Sequence, residues 1–106
     1  MLKPLFFVGS TLQDLRAFPR GPRREAGYQL QRVQFGLNPS DWKPMTTVGR
    51  GVREIRIQHQ GQYRVIYVTM IKNAVYVLHA FQKKTRKTRK QDVEIGRRRL
   101  KAIRRN

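Results

Sequence analysis

The positions of hydrophobic and polar residues between 52 and 81 follow the pattern of three successive β-strands. From Val52 to Gln58 polar and apolar residues alternate, which is the period of a half-buried strand. Tyr63 to Thr69 is rich in β-branched and aromatic residues on both faces, as in a central strand covered on both sides. Ala74 to Phe81 is predicted to form the third strand.

Two short turns connect the predicted strands. Gln60-Gly61 offers the first turn, and Lys72-Asn73 offers the second, since asparagine tolerates a positive φ. Connections this short join antiparallel neighbours, so the sequence predicts a meander. Arg64 is the one charged residue of the central strand, where the neighbouring residues are apolar on both faces.

Helical spacing replaces this alternation near the start of the chain. A short apolar strand from Pro4 to Val8 comes first, and Ser10 with Gln13 then forms a capping-box pattern that predicts the start of a helix. The apolar positions of this helix are Leu12, Leu15 and Phe18. It is expected to end at the helix breakers Pro19, Gly21 and Pro22.

A second helix is predicted from about Arg23 to Leu37, because apolar residues recur along one stripe of it. These residues are Ala26, Leu30, Val33 and Leu37. Asn38-Pro39 ends the helix, and the segment from Ser40 to Gly51 is predicted to be a loop with Trp42 and Met45 against the core. We expect the two helices to form a hairpin whose apolar stripe is buried on the sheet.

A last helix is predicted after the sheet. Thr88 and Gln91 form another capping-box pair at its start. Its apolar side consists of Val93, Gly96, Leu100 and Ile103. The predicted fold is therefore α+β, a single domain of residues 1–106 with an N-terminal helical hairpin packed on an antiparallel β-sheet, plus a C-terminal helix.

The charge balance narrows the choice of partners. The 106-residue chain has 24 Lys and Arg against 6 Asp and Glu, a formal net charge of +18, and half of the basic residues lie from Gln82 onward. Such an excess favours polyanionic partners, with nucleic acid ahead of acidic protein surfaces. There is no cysteine, which excludes disulfides and thiolate metal sites. The longest apolar run, around Leu5 to Val8, is far too short to cross a membrane, so we expect a cytoplasmic protein with no membrane partner.

The acidic residues do not predict a metal site. They are scattered along the chain, whereas the divalent ions of a nuclease need several clustered oxygen ligands. No glycine-rich phosphate loop is present either. Any catalysis is therefore expected to need no metal and no cofactor. RNA allows such chemistry, because its own 2'-hydroxyl is the nucleophile and the protein only moves protons and stabilises the added charge.

Four basic residues are candidates for stabilising that charge. Arg56 and Arg64 lie on adjacent predicted strands, and Lys83 and Lys84 follow the end of the next one. The strand register, which the sequence leaves open, decides whether they converge. The alternative is a structural role, with Arg56 and the two lysines solvated and Arg64 in a buried ion pair with Glu54.

The two histidines and Phe81 are less specific candidates. His59 lies in the predicted hairpin turn and is interpreted as a surface residue. His79 shares a strand face with Phe81, which predicts either a hydrogen-bonded residue at the core margin or a proton-transfer group at the mouth of a basic site. Phe81, next to the lysines, is a candidate for stacking on an RNA base.

Three strand segments and the basic helix after them resemble the RelE superfamily of toxins, in particular its phage-derived HigB-type branch. The segments are GVREIRI (51–57), YRVIY (63–67) and VYVLHAFQKKT (75–85). The resemblance covers nearly the whole chain, including Trp42-Lys43-Pro44. It implies a RelE-like fold and a toxin of a type II toxin–antitoxin pair. Such a toxin cuts mRNA in the ribosomal A site without a metal, and a HigA-type helix-turn-helix antitoxin holds it inactive.

The resemblance also implies site residues. Arg56 and Arg64 match basic positions on the central strands of the family, and Lys83 and Lys84 match its basic segment after the last strand. Together with His79, these are the expected catalytic residues. The expected contacts with RNA and the ribosome are Lys83, Lys84, Arg86, Lys87, Arg89, Lys90 and Phe81.

Two features of the sequence depart from the family pattern. Glu54 stands where some relatives have a basic residue, so no catalytic role is transferred to it. Several relatives use an aromatic residue near the C-terminal helix to stack a base or assist proton transfer, and no aromatic residue follows Phe81 here. Two other functions stay open: a non-enzymatic basic nucleic-acid-binding module, which explains the net charge of +18 equally well, and a gyrase-poisoning toxin of the same fold.

Overall fold

The chain forms one mixed β-sheet of five strands in the computed structural model, which describes residues 2–105. In chain order the strands are β1 (Leu5–Phe7), β2 (Trp42–Pro44), β3 (Arg53–Gln58), β4 (Gln62–Val68) and β5 (Val75–Lys83). Their order across the sheet is β1-β5-β4-β3-β2. Met1 and Asn106, the two ends of the predicted domain, lie outside the described residues.

The predicted meander is confirmed. β3, β4 and β5 pair antiparallel, and β4 is the central strand with both faces buried. Both turns lie where they were predicted. Gln60 in the first turn and Lys72 and Asn73 in the second all have φ values between 50° and 53°. A positive φ at these residues lets each turn follow the twist of the strands that it joins.

The prediction that the whole sheet is antiparallel is wrong for β1. This strand pairs parallel with β5, with Leu5 opposite Val75 and Phe7 opposite Val77. Strand direction follows from sequence only where a short turn forces it, and β1 is joined to β5 through helices and three other strands. β1 also covers only the first three residues of β5.

The predicted loop from Ser40 to Gly51 contains an additional strand. β2 pairs antiparallel with β3, with Trp42 opposite Ile55 and Lys43 opposite Glu54. A residue before proline favours an extended backbone, and proline is tolerated on an edge strand. The Trp42 ring lies beneath the Arg53 guanidinium, 4.0 Å from its central carbon.

Three helices pack on the sheet, and their starts differ from the predictions. They are α1 (Thr11–Arg16), α2 (Arg20–Gln34) and α3 (Lys90–Arg104). Neither predicted capping box forms. The Ser10 hydroxyl donates to Asp14 Oδ2 instead, and the Thr88 hydroxyl donates to Glu54 Oε2. In both places the hydroxyl that was predicted to cap the helix therefore donates to a nearby carboxylate.

The second helix is shifted toward the N-terminus relative to its prediction. α2 begins at Arg20, and Pro22 lies inside the first turn, where the missing backbone N–H is not needed. The helix ends at Gln34, so Leu37 is 52% exposed instead of belonging to the apolar stripe.

Each sheet face has its own hydrophobic core. On one face α1, α2 and the segment between them supply Leu15, Phe18, Ala26, Leu30 and Val33. On the other face α3 supplies Leu100, which packs with residues such as Ile66 and Leu78. Because side chains alternate along a strand, Arg64 shares the face of Ile66, and Glu54 and Arg56 lie opposite the face of Ile55. The second face is thus apolar beneath α3 and charged beside it.

No helix within residues 2–105 is long and apolar enough to cross a membrane.

The α3 core predicts the effect of one truncation. Leu100 is 3% exposed, and Leu100→Ala should lower the free energy of unfolding by about 2–5 kcal/mol through lost burial and a residual cavity. Urea denaturation followed by circular dichroism measures this value. Leu37→Ala is the matched control, because Leu37 is exposed and its truncation should change stability by about 0.5 kcal/mol or less. Equal losses in both variants would contradict the assignment of Leu100 to the core.

Candidate nucleic-acid interface

Four basic side chains converge on the charged part of the second sheet face. The register, which the sequence left open, places Arg56 on β3 directly opposite Arg64 on β4. Lys83 lies on β5 opposite Gln62, and Lys43 lies on β2 opposite Glu54. Four neighbouring strands therefore each contribute one cation to the same area.

Glu54 lies at the centre of these cations and is fully buried. Its Oε1 is 3.5 Å from Arg64 Nε and 3.8 Å from Lys43 Nζ. Its Oε2 accepts a hydrogen bond of 3.2 Å from the Thr88 hydroxyl. The ion pair between Arg64 and Glu54 proposed as the structural alternative is confirmed. It orients Arg64 without excluding a ligand, because a guanidinium has five N–H donors.

Arg64 is 7% exposed, and further contacts restrain its guanidinium. Nη1 donates to the Tyr63 carbonyl at 3.0 Å and to Gln62 Oε1 at 3.4 Å. Burial lowers the pKa of Arg64, and the Glu54 carboxylate opposes this shift. Because arginine starts from so high a pKa, the guanidinium stays charged at neutral pH.

Lys83 experiences the combined field of the other three cations. Burial lowers the pKa of Lys83, the nearby Arg64, Lys43 and Arg56 lower it further, and Glu54 opposes them. A lysine with a lowered pKa gives up its proton more readily, which suits it to proton transfer. Lys84 next to it is exposed.

Arg56 is held by an exposed carboxylate. Asp41 Oδ1 lies 3.0 Å from Arg56 Nε and 2.9 Å from Nη2. The backbone N–H of Arg56 also donates to the Asp41 carbonyl, which keeps Asp41 beside β3. Both side chains are about half exposed, and such pairs add little stability. A phosphate group is therefore able to replace the carboxylate on Arg56.

Two cavities border these residues. We use the name basic cleft for the two cavities together with the side chains of Lys43, Arg56, Arg64 and Lys83. One, of about 240 Å³, is lined by Asp41, Arg56, Gln58, Gln62 and Arg64. The other, of about 370 Å³, is lined by residues that include Lys43, Lys83, Arg86, Lys87 and Thr88. A chain of phosphates laid across the cleft would meet a cation at each strand.

The structure brings only part of the predicted site together. Arg86 and Lys87 of the predicted contact set line the cleft, whereas Lys84, Arg89 and Lys90 are exposed outside its lining. Lys84, Arg89 and Lys90 keep their charge in solvent, where it adds to the long-range attraction of polyanions.

His79 and Phe81 do not line either cavity of the basic cleft, although Phe81 lies directly opposite Arg64 on the neighbouring strand. His79 Nε2 is 2.8 Å from Asp92 Oδ1 on α3, and its ring stacks on Phe81 with centroids 4.9 Å apart. Both residues line a different cavity, of about 370 Å³, beside α1. His79 is 6% exposed, as predicted for a bonded residue at the core margin. His59 is exposed in the β3–β4 turn, as predicted.

Lys43 is the cleft residue that sequence reasoning missed. It was assigned to a loop, although a lysine before a proline is typical of an extended edge strand. Reading Trp42-Lys43-Pro44 as an edge strand would have made Lys43 a candidate residue of the sheet, whereas its position opposite Glu54 follows only from the structure. Within residues 2–105 no three His, Asp or Glu side chains converge to hold a metal ion.

Comparison with known proteins identifies the family. Residues 13–101 match the model of the family described as phage derived protein Gp49-like (DUF891). No curated protein matches the chain. The match includes every residue that lines the two cavities of the basic cleft. The chain therefore belongs to the phage-derived Gp49-like family, which is a RelE/toxin-like family.

Proposed function

We propose that this protein is the toxin of a type II toxin–antitoxin pair, of the HigB-type branch, and that it cleaves mRNA on the ribosome without a metal or cofactor. Membership of the Gp49-like family is consistent with a toxin in general. The observation that carries the nuclease proposal is the convergence of Arg56, Arg64 and Lys83, with a lowered pKa at Lys83.

The proposed reaction is an internal transfer at one RNA phosphate. The 2'-oxygen forms a bond to the adjacent phosphorus, and the bond from that phosphorus to the 5'-oxygen of the next nucleotide breaks. A proton leaves the 2'-hydroxyl and another is given to the 5'-oxygen. The products are a 2',3'-cyclic phosphate and a 5'-hydroxyl end. The protein has to move two protons and stabilise the negative charge that builds up on the phosphate oxygens.

The cleft residues divide these tasks according to their surroundings. Arg64 is restrained by Glu54 and Tyr63, so it is oriented before substrate arrives, which is the condition for strong stabilisation of a transition state. Arg56 exchanges Asp41 for a phosphate oxygen on binding. Lys83 is the proposed proton-transfer group, because it lies in the same cleft as Arg56 and Arg64 and its pKa is lowered by burial and by the neighbouring cations. His79, engaged with Asp92, is not needed in this scheme.

The proposed partners follow from the charge of the protein. Ribosome and mRNA are both polyanions, and a net charge of +18 speeds association with them. The ribosomal A site is the proposed place of action, with the exposed tail residues Lys84, Arg89 and Lys90 in contact with RNA. A HigA-type helix-turn-helix antitoxin is the proposed inhibitor, and translation places the toxin in the cytoplasm.

Primer extension on a defined mRNA in a cell-free translation reaction tests this function, with Lys83→Met as the key variant. Wild type should cut within the reading frame only when ribosomes are present, and Lys83→Met should cut about 10²-fold more slowly because proton transfer is lost. Lys84→Met removes the same charge from an exposed neighbour and should cause a much smaller loss. Intact mRNA in every wild-type lane would reject the nuclease and favour a binding module or a gyrase poison.

The lowered pKa of Lys83 also predicts how stability depends on pH. Its unfolded pKa is the ordinary lysine value of 10.5, and the folded pKa is lower. The charged form therefore lowers stability at neutral pH, and this penalty disappears as the pH rises through the folded pKa toward the unfolded one. Lys83→Met should be at least as stable as wild type at about pH 7, with a difference that shrinks toward about pH 10.

Urea denaturation across this pH range measures the difference, with Lys84→Met as the control for loss of one exposed charge. A wild-type advantage over Lys83→Met at neutral pH would contradict the penalty, because it would mean that the charged amine stabilises the folded protein.

A test of the role of Arg64 in cleavage requires a variant that keeps its ion pair with Glu54. Arg64→Ala should abolish cleavage, but it also leaves Glu54 buried without its closest cation, at a cost of about 3–5 kcal/mol. Arg64→Lys keeps a cation near Glu54 while removing the planar fork that matches phosphate. We expect cleavage by Arg64→Lys to fall about 10²-fold with a smaller loss of stability, measured by the same primer extension and by thermal unfolding. Unchanged cleavage would show that the guanidinium does not contact the reacting phosphate.

A further inference from the structure

A fourth cavity continues the basic cleft around the edge of the sheet. It has a volume of about 590 Å³ and is bordered by α2 and the end of β3. Three of its lining residues, Asp41, Arg56 and Gln58, also line the smaller cavity of the basic cleft. A strand of RNA bound at Arg56 therefore has a continuous path from the cleft into this cavity.

The walls of this cavity are built from ordered contacts. Gln29 of α2 is 3% exposed, and its side chain bonds Glu25 at 2.6 Å and the Ser40 hydroxyl at 3.0 Å. The Ser40 backbone N–H donates back to Gln29 Oε1 at 2.8 Å. Across the cavity the His59 ring lies so close to Gly21 that any Cβ there would overlap it. Hydrogen bonds thus join α2 to the segment before β2, and the β3–β4 turn lies against the start of α2.

An exposed aromatic ring and a cation stand side by side on the helical wall. Tyr28 is 54% exposed and lies one helical turn after Arg24, and both residues line the cavity. An exposed ring next to a cation suits a nucleotide, since the base stacks on the ring while the cation meets the phosphate. The chain has no aromatic residue after Phe81, so Tyr28 supplies a stacking surface from the other end of the sequence.

The acidic residues of the cavity favour one kind of base. Glu25 and Asp41 both line it, and carboxylates accept hydrogen bonds from base amino groups but repel phosphate. Glu25 Oε2 accepts a hydrogen bond from the Gln29 amide, and Asp41 Oδ1 accepts one from Arg56 Nε. Within residues 2–105 the second oxygen of each carboxylate makes no hydrogen bond or ion pair. The cavity thus presents hydrogen-bond acceptors next to the stacking surface.

We propose that this cavity is a subsite for an unpaired nucleobase next to the cleavage site, with Tyr28 stacking the base, Arg24 meeting its phosphate, and Glu25 and Asp41 favouring bases with an amino group over uracil. This inference rests on the proposed function, because it takes RNA to be the ligand of the basic cleft. It assigns α2 a part in binding that the sequence did not indicate.

Fluorescence anisotropy with short labelled oligonucleotides tests the subsite apart from catalysis. The probes are oligocytidine and oligouridine of equal length with 2'-O-methyl groups, which prevent cleavage. Tyr28→Ala should weaken oligocytidine binding about tenfold, and Tyr28→Phe should bind within about twofold of wild type, since stacking needs the ring and not the hydroxyl. Phe35→Ala is the matched control, because Phe35 is 61% exposed at the far end of the same helix and does not line the cavity.

The base preference provides the second readout. Wild type should bind oligocytidine at least about threefold more tightly than oligouridine, because cytosine carries an amino donor where uracil carries an oxygen. Equal binding of the two probes, unchanged binding by Tyr28→Ala, or an equal loss in Phe35→Ala would overturn the subsite.

The two proposals fail in different assays. If wild type cuts translated mRNA but Tyr28→Ala binds both probes as wild type does, only the subsite is rejected. If wild type fails to cut mRNA on ribosomes, the nuclease is rejected whatever the anisotropy shows. When both proposals hold, Tyr28→Ala should raise the KM for mRNA and leave kcat within about twofold, since stacking contributes to binding rather than to the chemical step.

Discussion

The buried carboxylate of Glu54 is the interaction on which the cationic face depends. A fully buried charge without compensation would lower stability by several kcal/mol, so Glu54 requires the cations that the neighbouring strands supply. Arg64 approaches it from β4, Lys43 from β2, and Thr88 from the segment that leads into α3. The strand register therefore determines the geometry of the basic cleft, because a slip of one residue in the β2–β3 or the β3–β4 pairing would separate these groups.

Cations of similar nominal charge occupy three different physical states in the cleft. Arg64 is restrained and nearly buried, Arg56 is half exposed and paired with an exchangeable carboxylate, and Lys83 carries a lowered pKa. These differences arise from burial and from neighbours rather than from residue type. In the proposed function they make Arg64 a fixed phosphate contact, Arg56 an exchangeable one and Lys83 the group that transfers a proton. Solvated lysines in a tail do not differ from one another in burial, pairing or pKa in this way. The net charge alone therefore does not distinguish the cations of the cleft from the other basic residues.

Sequence reasoning succeeded where structure is local and failed where it is not. The meander and the adjacency of Arg56 and Arg64 followed from alternation and short turns, and a buried arginine correctly indicated a pair with Glu54. The direction of β1 and the pairing of β2 depend on contacts between distant segments, which no window of residues contains. The convergence of Lys43 with the other cations was lost for that reason. The contribution of α2 to the fourth cavity was missed because a single exposed tyrosine on a helix forms no recognisable sequence pattern.

The position of Trp42 has an optical consequence. It is the only tryptophan of the chain, it precedes Lys43 on β2, and its ring lies beneath the Arg53 guanidinium. Indole emission responds to nearby charge and to solvent access, so the intrinsic tryptophan fluorescence of the protein arises from a single position on β2, on the sheet face opposite Lys43. Burial of β2 under a partner protein would change the emission of this one residue. Coverage of this edge of the sheet is thus observable in the unlabelled wild-type chain.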